Sequence, residues 1–172
     1  MESAEEEDRS WQDVDGIEGL ARLVARQDAE GAQLLNECWE EVTRFEDVGL
    51  CSEAAYECRG MLEISELPQV YRFVALEHVV FGEREGAVRI AQEGVEIDPQ
   101  DAARRRALGD VYFELERYAE AADAYRKAVK LGCCATGLLL SLGSCHERFG
   151  DHTGAAEWPA RADDGPRAAA RA

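Results

Sequence analysis

Apolar and small residues recur every 34 positions through the second half of the chain. Val74, Leu108 and Leu142 share one register, and the residue that follows each of them is small. A period of this length is typical of helical repeat arrays, in which each unit is one supersecondary element. The other equivalent positions are Ala75, Gly109 and Gly143; Gly82, Glu116 and Gly150; Ala87, Ala121 and Ala155; and Gly94, Ala128 and Ala162.

Each unit predicts a helix, a short turn and a second helix. In the middle unit the pattern predicts helix A over about 102–115 and helix B over about 118–131. The stretches "GERE", "ERY" and "GDHTG" mark the turns within units, and "DPQD" at 98–101 marks a turn between units. Pro99 cannot continue the preceding helix, and it disfavours a helical conformation at Asp98.

The small residues inside these helices predict close contact between helix backbones. A glycine in a helix costs about 1 kcal/mol relative to alanine, so its recurrence indicates that tight packing offsets the cost. We expect Gly109 and Ala121 to lie where helix A crosses helix B of the same unit, and Ala128 to pack towards the next unit. Three tyrosines are expected to fill the space around them: Tyr112, Tyr118 and Tyr125.

The middle unit resembles the tetratricopeptide repeat, with its series of Leu-Gly, Tyr, Ala, aromatic and Ala. The matching residues are Leu108, Gly109, Tyr112, Ala121, Tyr125 and Ala128. The neighbouring units are similar through Tyr71, Val74, Ala75, Ala87, Ala91 and Pro99 in 68–101, and through Leu139, Leu142, Gly143 and Ala155 in 136–162. One departure is Arg105, which stands where helix A usually carries an aromatic. The resemblance implies an all-α fold, a right-handed α-solenoid of three to four helix-turn-helix units.

A degenerate unit at 34–67 precedes the repeats 68–101 and 102–135. Residues 47–62 resemble its helix B, and its helix A is expected at about 35–46. Before it, the segment 16–33 is predicted to form an N-terminal helix that covers the first unit, with Asp15 as a plausible N-cap. The apolar residues on one face of that helix are Ile17, Leu20, Leu23 and Val24.

The two ends of the chain depart from the repeat pattern. Residues 1–15 contain seven acidic side chains, and we predict that they are disordered. In the last, incomplete repeat, 136–162, Pro159 replaces a large hydrophobic residue, so the final helix is expected to fray near Trp158. A flexible tail would follow at 163–172. Because an uncapped last repeat exposes its apolar side, this end is open to a partner or to self-association.

The resemblance also implies where a ligand binds, because helix A of each unit lines a concave groove in this family. Arg72 and Arg106 would offer guanidinium groups to a carboxylate or a peptide carbonyl, unless they pair with neighbouring acidic side chains. Leu76 and Ala107 stand where a chaperone-tail-binding subclass has asparagines, which argues against that ligand. The predicted groove positions are Gln69, Arg72, Leu76 and Val79; Ala103, Arg106, Asp110 and Phe113; and Gly137, Leu140, Ser144 and Glu147.

The net charge of the chain limits the classes of molecule that it can bind. Its 172 residues include 36 acidic and 19 basic side chains, which give a formal net charge of −17. A surface of this sign repels nucleic acid and anionic membranes. The acidic N-terminus lacks the apolar run of a secretory signal, and no stretch is apolar over the length that a membrane span requires. We therefore predict a cytoplasmic location.

The cysteine and histidine residues do not form the pattern of a known catalytic or metal-binding site. Cys133, Cys134, Cys145 and His146 lack the ligand spacing of common zinc sites, and the cysteines are expected to be reduced because no export signal is present. His78 shares the repeat register of His146, which favours packing for both. We predict no catalytic residue, no metal ligand and no cofactor.

The sequence therefore predicts a non-enzymatic interaction module, an adaptor or scaffold that binds a peptide or protein segment in its concave groove. Three alternatives stay open. The small size, acidity and N-terminal helix are similar to those of secretion chaperones of bacterial injection systems. A cysteine-based metal-binding protein is another alternative, and a scaffold that self-associates through its uncapped end is the last.

Overall fold

The computed structural model of the chain describes residues 16–133 and 135–163. The predicted disordered segment 1–15 and most of the predicted tail, from residue 164 onwards, lie outside the described residues. Within the described ranges the chain forms helices and no strand. The helices are α1 (Gly16–Ala25), α2 (Ala29–Asp47), α3 (Cys51–Gly60), α4 (Pro68–Val80), α5 (Arg84–Ile97), α6 (Ala102–Glu114), α7 (Tyr118–Lys130), α8 (Thr136–Arg148) and α9 (His152–Asp163), with a short 3-10 helix at Met61–Glu63.

Successive helices pack as antiparallel pairs that stack along the chain. The pairs are α2 with α3, α4 with α5, α6 with α7 and α8 with α9, and α4 also packs against α6. Helix α1 lies against α2 and α4, as expected for a helix that covers the first unit. The all-α solenoid of helix hairpins is therefore confirmed. In the middle unit the observed helices end within one residue of their predicted ends.

The turn between the two helices of a unit has the same backbone geometry in three units. Its central residue adopts a left-handed conformation at Gly82 (φ 82°), Glu116 (φ 60°) and Gly150 (φ 82°). The amide of the next residue then donates to a carbonyl five positions back, at 2.8–2.9 Å in all three turns. This bonding is common at helix C-termini and satisfies carbonyls that the helix leaves without a partner.

Glu116 is strained in this turn because a side chain disfavours positive φ. We expect Glu116→Gly to raise the free energy of unfolding by about 1 kcal/mol, since glycine adopts this conformation without steric cost. Chemical denaturation of the purified variant measures the change. The matched control is Glu114→Gly, which places glycine inside α6 and should lower stability by about 1 kcal/mol. A loss of stability in Glu116→Gly would contradict the assigned backbone conformation.

The first unit is out of register with the other three. Its left-handed turn residue, Gly49 (φ 76°), lies 33 residues before Gly82 instead of 34. Helix α2 is also longer than the predicted 35–46, and α3 is shorter than the predicted 47–62. This shift of one residue accounts for the weak repeat signal in 34–67.

The predicted N-terminal helix over 16–33 ends earlier, at Ala25, and α2 begins at Ala29. Residues 26–28 are Arg-Gln-Asp, so this stretch offers no apolar side chain that could hold a continuous helix against the core. Asp28 is extended (φ −146°, ψ 100°) and precedes the first turn of α2, a position that favours aspartate. Gly31 leaves room for the Asp28 carboxylate beside that turn.

The prediction that the last helix frays near Trp158 is wrong, because α9 continues through Pro159 to Asp163. The proline ring packs against Gly143 of α8, where an added Cβ would lie 2.8 Å from the ring Cγ and Cδ atoms. Proline disfavours a helix interior because it lacks an N–H and its ring crowds a carbonyl. Here the ring fills the crossing of α8 and α9, which compensates for that cost.

The buried apolar residues form two clusters, which meet at the crossing of α6 and α7. The first extends from Leu20 to Leu115, and the second extends from Ala121 to Cys145. At the crossing, the ring of Tyr125 lies directly over Gly109, where an added Cβ would be 2.5 Å from two ring atoms. The predicted position of Gly109 between helices A and B is therefore confirmed.

Candidate peptide-binding groove

Helices α4, α6 and α8 carry the residues predicted to face a ligand. We call the face that these residues define the groove face. Because α4 packs directly against α6, the predicted rows of these two helices adjoin. Pro68 begins α4 at a position that suits its fixed φ. The Asp101 carboxylate accepts a hydrogen bond of 2.8 Å from the Ala103 amide and so caps α6.

A polar chain crosses the groove face from α4 to α7. Arg72 Nε donates to Asp110 Oδ2 at 2.5 Å, and the Tyr125 hydroxyl donates to Asp110 Oδ1 at 2.8 Å. The Arg72 and Asp110 side chains are 27% and 15% exposed, respectively, so the ion pair is largely shielded from water. Arg72 was predicted either to bind a ligand carboxylate or to pair with an acidic side chain of this chain. The structure contains the second arrangement. A ligand carboxylate would have to compete with Asp110 for this guanidinium.

Apolar side chains lie beside this polar chain on the same helices. Leu76 and Val79 of α4 are half-buried and pack on the first cluster, whereas Phe113 of α6 packs on the second. Phe113 also meets Tyr118 edge-on, with ring centroids 5.4 Å apart. Leu140 of α8 is 47% exposed. The groove face thus carries a row of apolar side chains that ends in a solvent-exposed leucine.

The other predicted positions are small or polar. Ser144 uses its hydroxyl to donate to the Leu140 carbonyl at 3.1 Å, and Glu147 is exposed at the end of the α8 row. Ala107, which stands where the chaperone-tail-binding subclass has an asparagine, is buried and does not face a ligand. The remaining predicted groove positions are half-buried: Gln69, Ala103, Arg106 and Gly137.

Cys145 on α8 and two cysteines of the first unit are unsuited to nucleophilic chemistry. Burial raises the pKa of the Cys145 thiol to about 11, and the negative charge of Asp110 adds to the rise. Burial likewise raises the pKa of Cys38 and, more strongly, that of Cys58. A thiol with a raised pKa stays protonated at neutral pH, and the protonated form is a poor nucleophile and metal ligand.

The two histidines in the same repeat register are buried, as their predicted packing role requires. His78 Nδ1 lies 2.8 Å from the Val74 carbonyl oxygen, and burial lowers the pKa of His78. His146 Nδ1 lies 2.8 Å from Asp151 Oδ2, and its ring contacts Phe149. Within residues 16–133 and 135–163, no three His, Cys, Asp or Glu side chains come together as metal ligands would. Cys134 lies outside that part of the chain.

The sequence does not predict two clefts on the opposite side of the array, formed by helices α3, α5 and α7. We call this side the outer face. One cleft, of about 670 Å³, lies between α5 and α7, and another, of about 570 Å³, lies between α3 and α5. The departure at Arg105 is the sequence signal that could have drawn attention to the larger one, because this residue lines it. None of the helices in the described part of the chain has the length and apolar character of a membrane-spanning segment.

Stacked helix pairs that bring one helix of each pair to a common face define an α-helical repeat protein. Residues 102–132, the middle unit, match the family model of the tetratricopeptide repeat. The middle unit is therefore a tetratricopeptide repeat, as its sequence predicts. The match of this unit supports a general role in binding other proteins.

Solved structures share the architecture over nearly the whole chain. The crystal structure of MamA is 18% identical, with a TM-score of 0.56, and the likeness covers 100% of this chain and 99% of that one. The MamA RS-1 ArsTM double mutant is 19% identical, with a TM-score of 0.55 and coverage of 98% and 97%. At these identities the likeness concerns the fold. A comparison with curated protein sequences gives no match.

Proposed function

We propose that this chain is a non-enzymatic adaptor that holds a peptide or protein segment of a partner against its groove face. The observation that carries the proposal is the apolar row on that face, from Leu76 and Val79 to Phe113 and the exposed Leu140. Burial of such side chains on binding contributes about 25 cal/mol per Å² of apolar surface. The raised thiol pKa values favour this role over cysteine chemistry.

The polar chain adds directional contacts to the apolar row. A ligand with an acidic side chain or a terminal carboxylate can approach Arg72 and Arg106, and a guanidinium binds carboxylates with fixed geometry. Asp110 holds Arg72 in place, so less side-chain entropy is lost when the ligand binds. The proposed ligand is therefore an extended or helical segment with apolar residues and an acidic group.

Leu140→Glu tests the proposal, because it places a charge in the open part of the apolar row. We expect affinity purification with quantitative mass spectrometry to lose the groove-bound partner by about tenfold or more, as for an interface hot spot. The control is Leu34→Glu, which changes a leucine of nearly equal exposure (45% against 47%) on α2 and should capture the partner normally. The double variant Arg72→Ala with Arg106→Ala should also weaken capture and leave the fold intact. Equal capture by all variants would refute groove binding.

A further inference from the structure

The two clefts of the outer face lie one repeat apart but have different walls. Tyr71 of α4 lines the smaller cleft, and its ring packs so closely on α5 that an added Cβ at Gly94 would be 3.0 Å from it. One repeat further, the equivalent residue is Arg105, which lines the larger cleft. The guanidinium of Arg105 turns to the Pro99 carbonyl, to which Nη2 donates at 3.3 Å. An aromatic ring therefore fills this position in one unit, and a cation stands there in the next.

The rims of the two clefts also differ. Arg59 of α3 and Glu93 of α5, 34 positions apart, form an ion pair of 2.8 Å across the smaller cleft. The next pair in this register is Glu93 and Lys127, but Lys127 Nζ bonds Asp123 Oδ2 at 2.6 Å within α7. Lys127 thus pairs with a residue of its own helix instead of with Glu93 on α5. In the larger cleft, Gln92 Nε2 of α5 instead donates to the Tyr112 hydroxyl of α6 at 3.3 Å.

The interior of the larger cleft combines apolar and charged groups. Val95 of α5, Leu108 of α6 and Ala124 of α7 supply apolar surface, and Glu96 adds negative charge at the edge. Glu120 lies there too, but its carboxylate pairs with Arg117 at 2.8 Å. Its volume of about 670 Å³ falls within the range of ordinary binding pockets. Arg105 can lie against the face of an aromatic ring, which is attractive for a guanidinium.

We propose that the cleft between α5 and α7 is a second docking site, which takes an aromatic side chain of a partner protein flanked by basic residues. The aromatic ring would lie in the cleft, against Leu108 and beside Arg105. Basic flanking residues complement Glu96, and the chain's net charge of −17 attracts them at longer range. This site lies on the face opposite the groove, so both could be occupied together.

The test titrates the labelled full-length chain, observed by amide NMR, with three capped tripeptides: Lys-Trp-Lys, Lys-Ala-Lys and Glu-Trp-Glu. We expect saturable shifts from Lys-Trp-Lys at α5 and α7, no saturable shifts from Lys-Ala-Lys, and several-fold weaker binding of Glu-Trp-Glu. Shifts centred on the groove face would overturn the proposal. So would equal binding of the tryptophan and alanine peptides.

Two variants of the cleft and one control variant complete the test. Arg105→Tyr removes the cation from the cleft and should reduce Lys-Trp-Lys affinity by at least about tenfold. Glu96→Lys, at an exposed position, should weaken Lys-Trp-Lys binding and strengthen Glu-Trp-Glu binding while the helices remain intact. Leu140→Glu, on the other face, should leave peptide binding unchanged. Undiminished Lys-Trp-Lys affinity in both cleft variants would refute the site, whatever the outcome for the groove.

Discussion

Gly109→Leu is expected to lower the free energy of unfolding by about 2–3 kcal/mol, because it forces bulk into a crossing that has no space for it. An added Cβ alone would lie 2.5 Å from Cδ1 and Cε1 of Tyr125. That ring is 1% exposed, and its hydroxyl is held by Asp110, which Arg72 holds in turn. The ring therefore cannot move aside at low cost. Thermal and chemical denaturation, monitored by circular dichroism, measure the loss.

A matched control separates this crowding from the general effect of replacing glycine. At Gly60, the nearest atom to an added Cβ is Cys38 Sγ, at an ordinary contact distance of 3.8 Å. Gly60→Ala should therefore leave stability unchanged or raise it by up to about 1 kcal/mol. An unchanged melting curve for Gly109→Leu would contradict the packing described at the crossing.

The chain itself suggests a rescue of the crowded crossing. In the unit 68–101 the residues equivalent to Gly109 and Tyr125 are Ala75 and Ala91, and both are buried. In a Tyr125→Ala background, Gly109→Ala should consequently become neutral or stabilising. The double-mutant cycle gives the coupling between the two positions directly.

Arg104→Ala is expected to lower the free energy of unfolding by about 2–4 kcal/mol, because it removes charged hydrogen bonds from a buried junction. Arg104 is 7% exposed. Its Nη1 donates to the Gly94 carbonyl at 3.1 Å, and its Nη2 donates to the Glu66 carbonyl at 2.6 Å. Gly94 lies in the last turn of α5, where carbonyls lack partners within the helix. The guanidinium therefore caps α5 and ties it to the segment before α4.

Arg104→Met distinguishes the hydrogen bonds from the packing of the long side chain. It should cost nearly as much as Arg104→Ala, whereas Arg104→Lys should recover part of the loss, since an ammonium can reach fewer carbonyls at once. Arg89→Ala, at an exposed position on α5, serves as a control and should change stability by less than about 0.5 kcal/mol. If Arg104→Met were as stable as the wild type, the carbonyl bonds would contribute nothing.

Local patterns in the sequence predicted most of the fold. The period of 34 located both helices of the middle unit and the crossing at Gly109, because each depends on residues close in sequence. The end of α9 was missed because Pro159 was judged only as the loss of a large hydrophobic residue, whereas its ring contacts Gly143 on another helix. The early end of α1 depends on Asp28 and its extended backbone. The prediction of one helix over 16–33 followed the apolar face and gave this local signal too little weight.

The groove was harder to predict because its polar contacts join different repeats. Arg72 and Asp110 are 38 positions apart, and so are Arg104 and its bonding partner Glu66. This separation is one repeat plus about one helical turn. A search for charged pairs at that spacing could have shown that Asp110 engages Arg72. The partner of Arg104 is a backbone carbonyl, which side-chain patterns do not reveal.

The division of the buried residues into two clusters has a consequence for cooperativity. The second cluster, from Ala121 to Cys145, meets the first at α6, where Tyr125 contacts Gly109 and where Tyr112 and Phe113 also pack on the second cluster. Nearest-neighbour interfaces govern the melting of repeat arrays, so the C-terminal helices can open as a separate block while α4 and α5 keep their structure. Leu140 belongs to that block. A partner bound there would thus stabilise the C-terminal helices and couple recognition to their order.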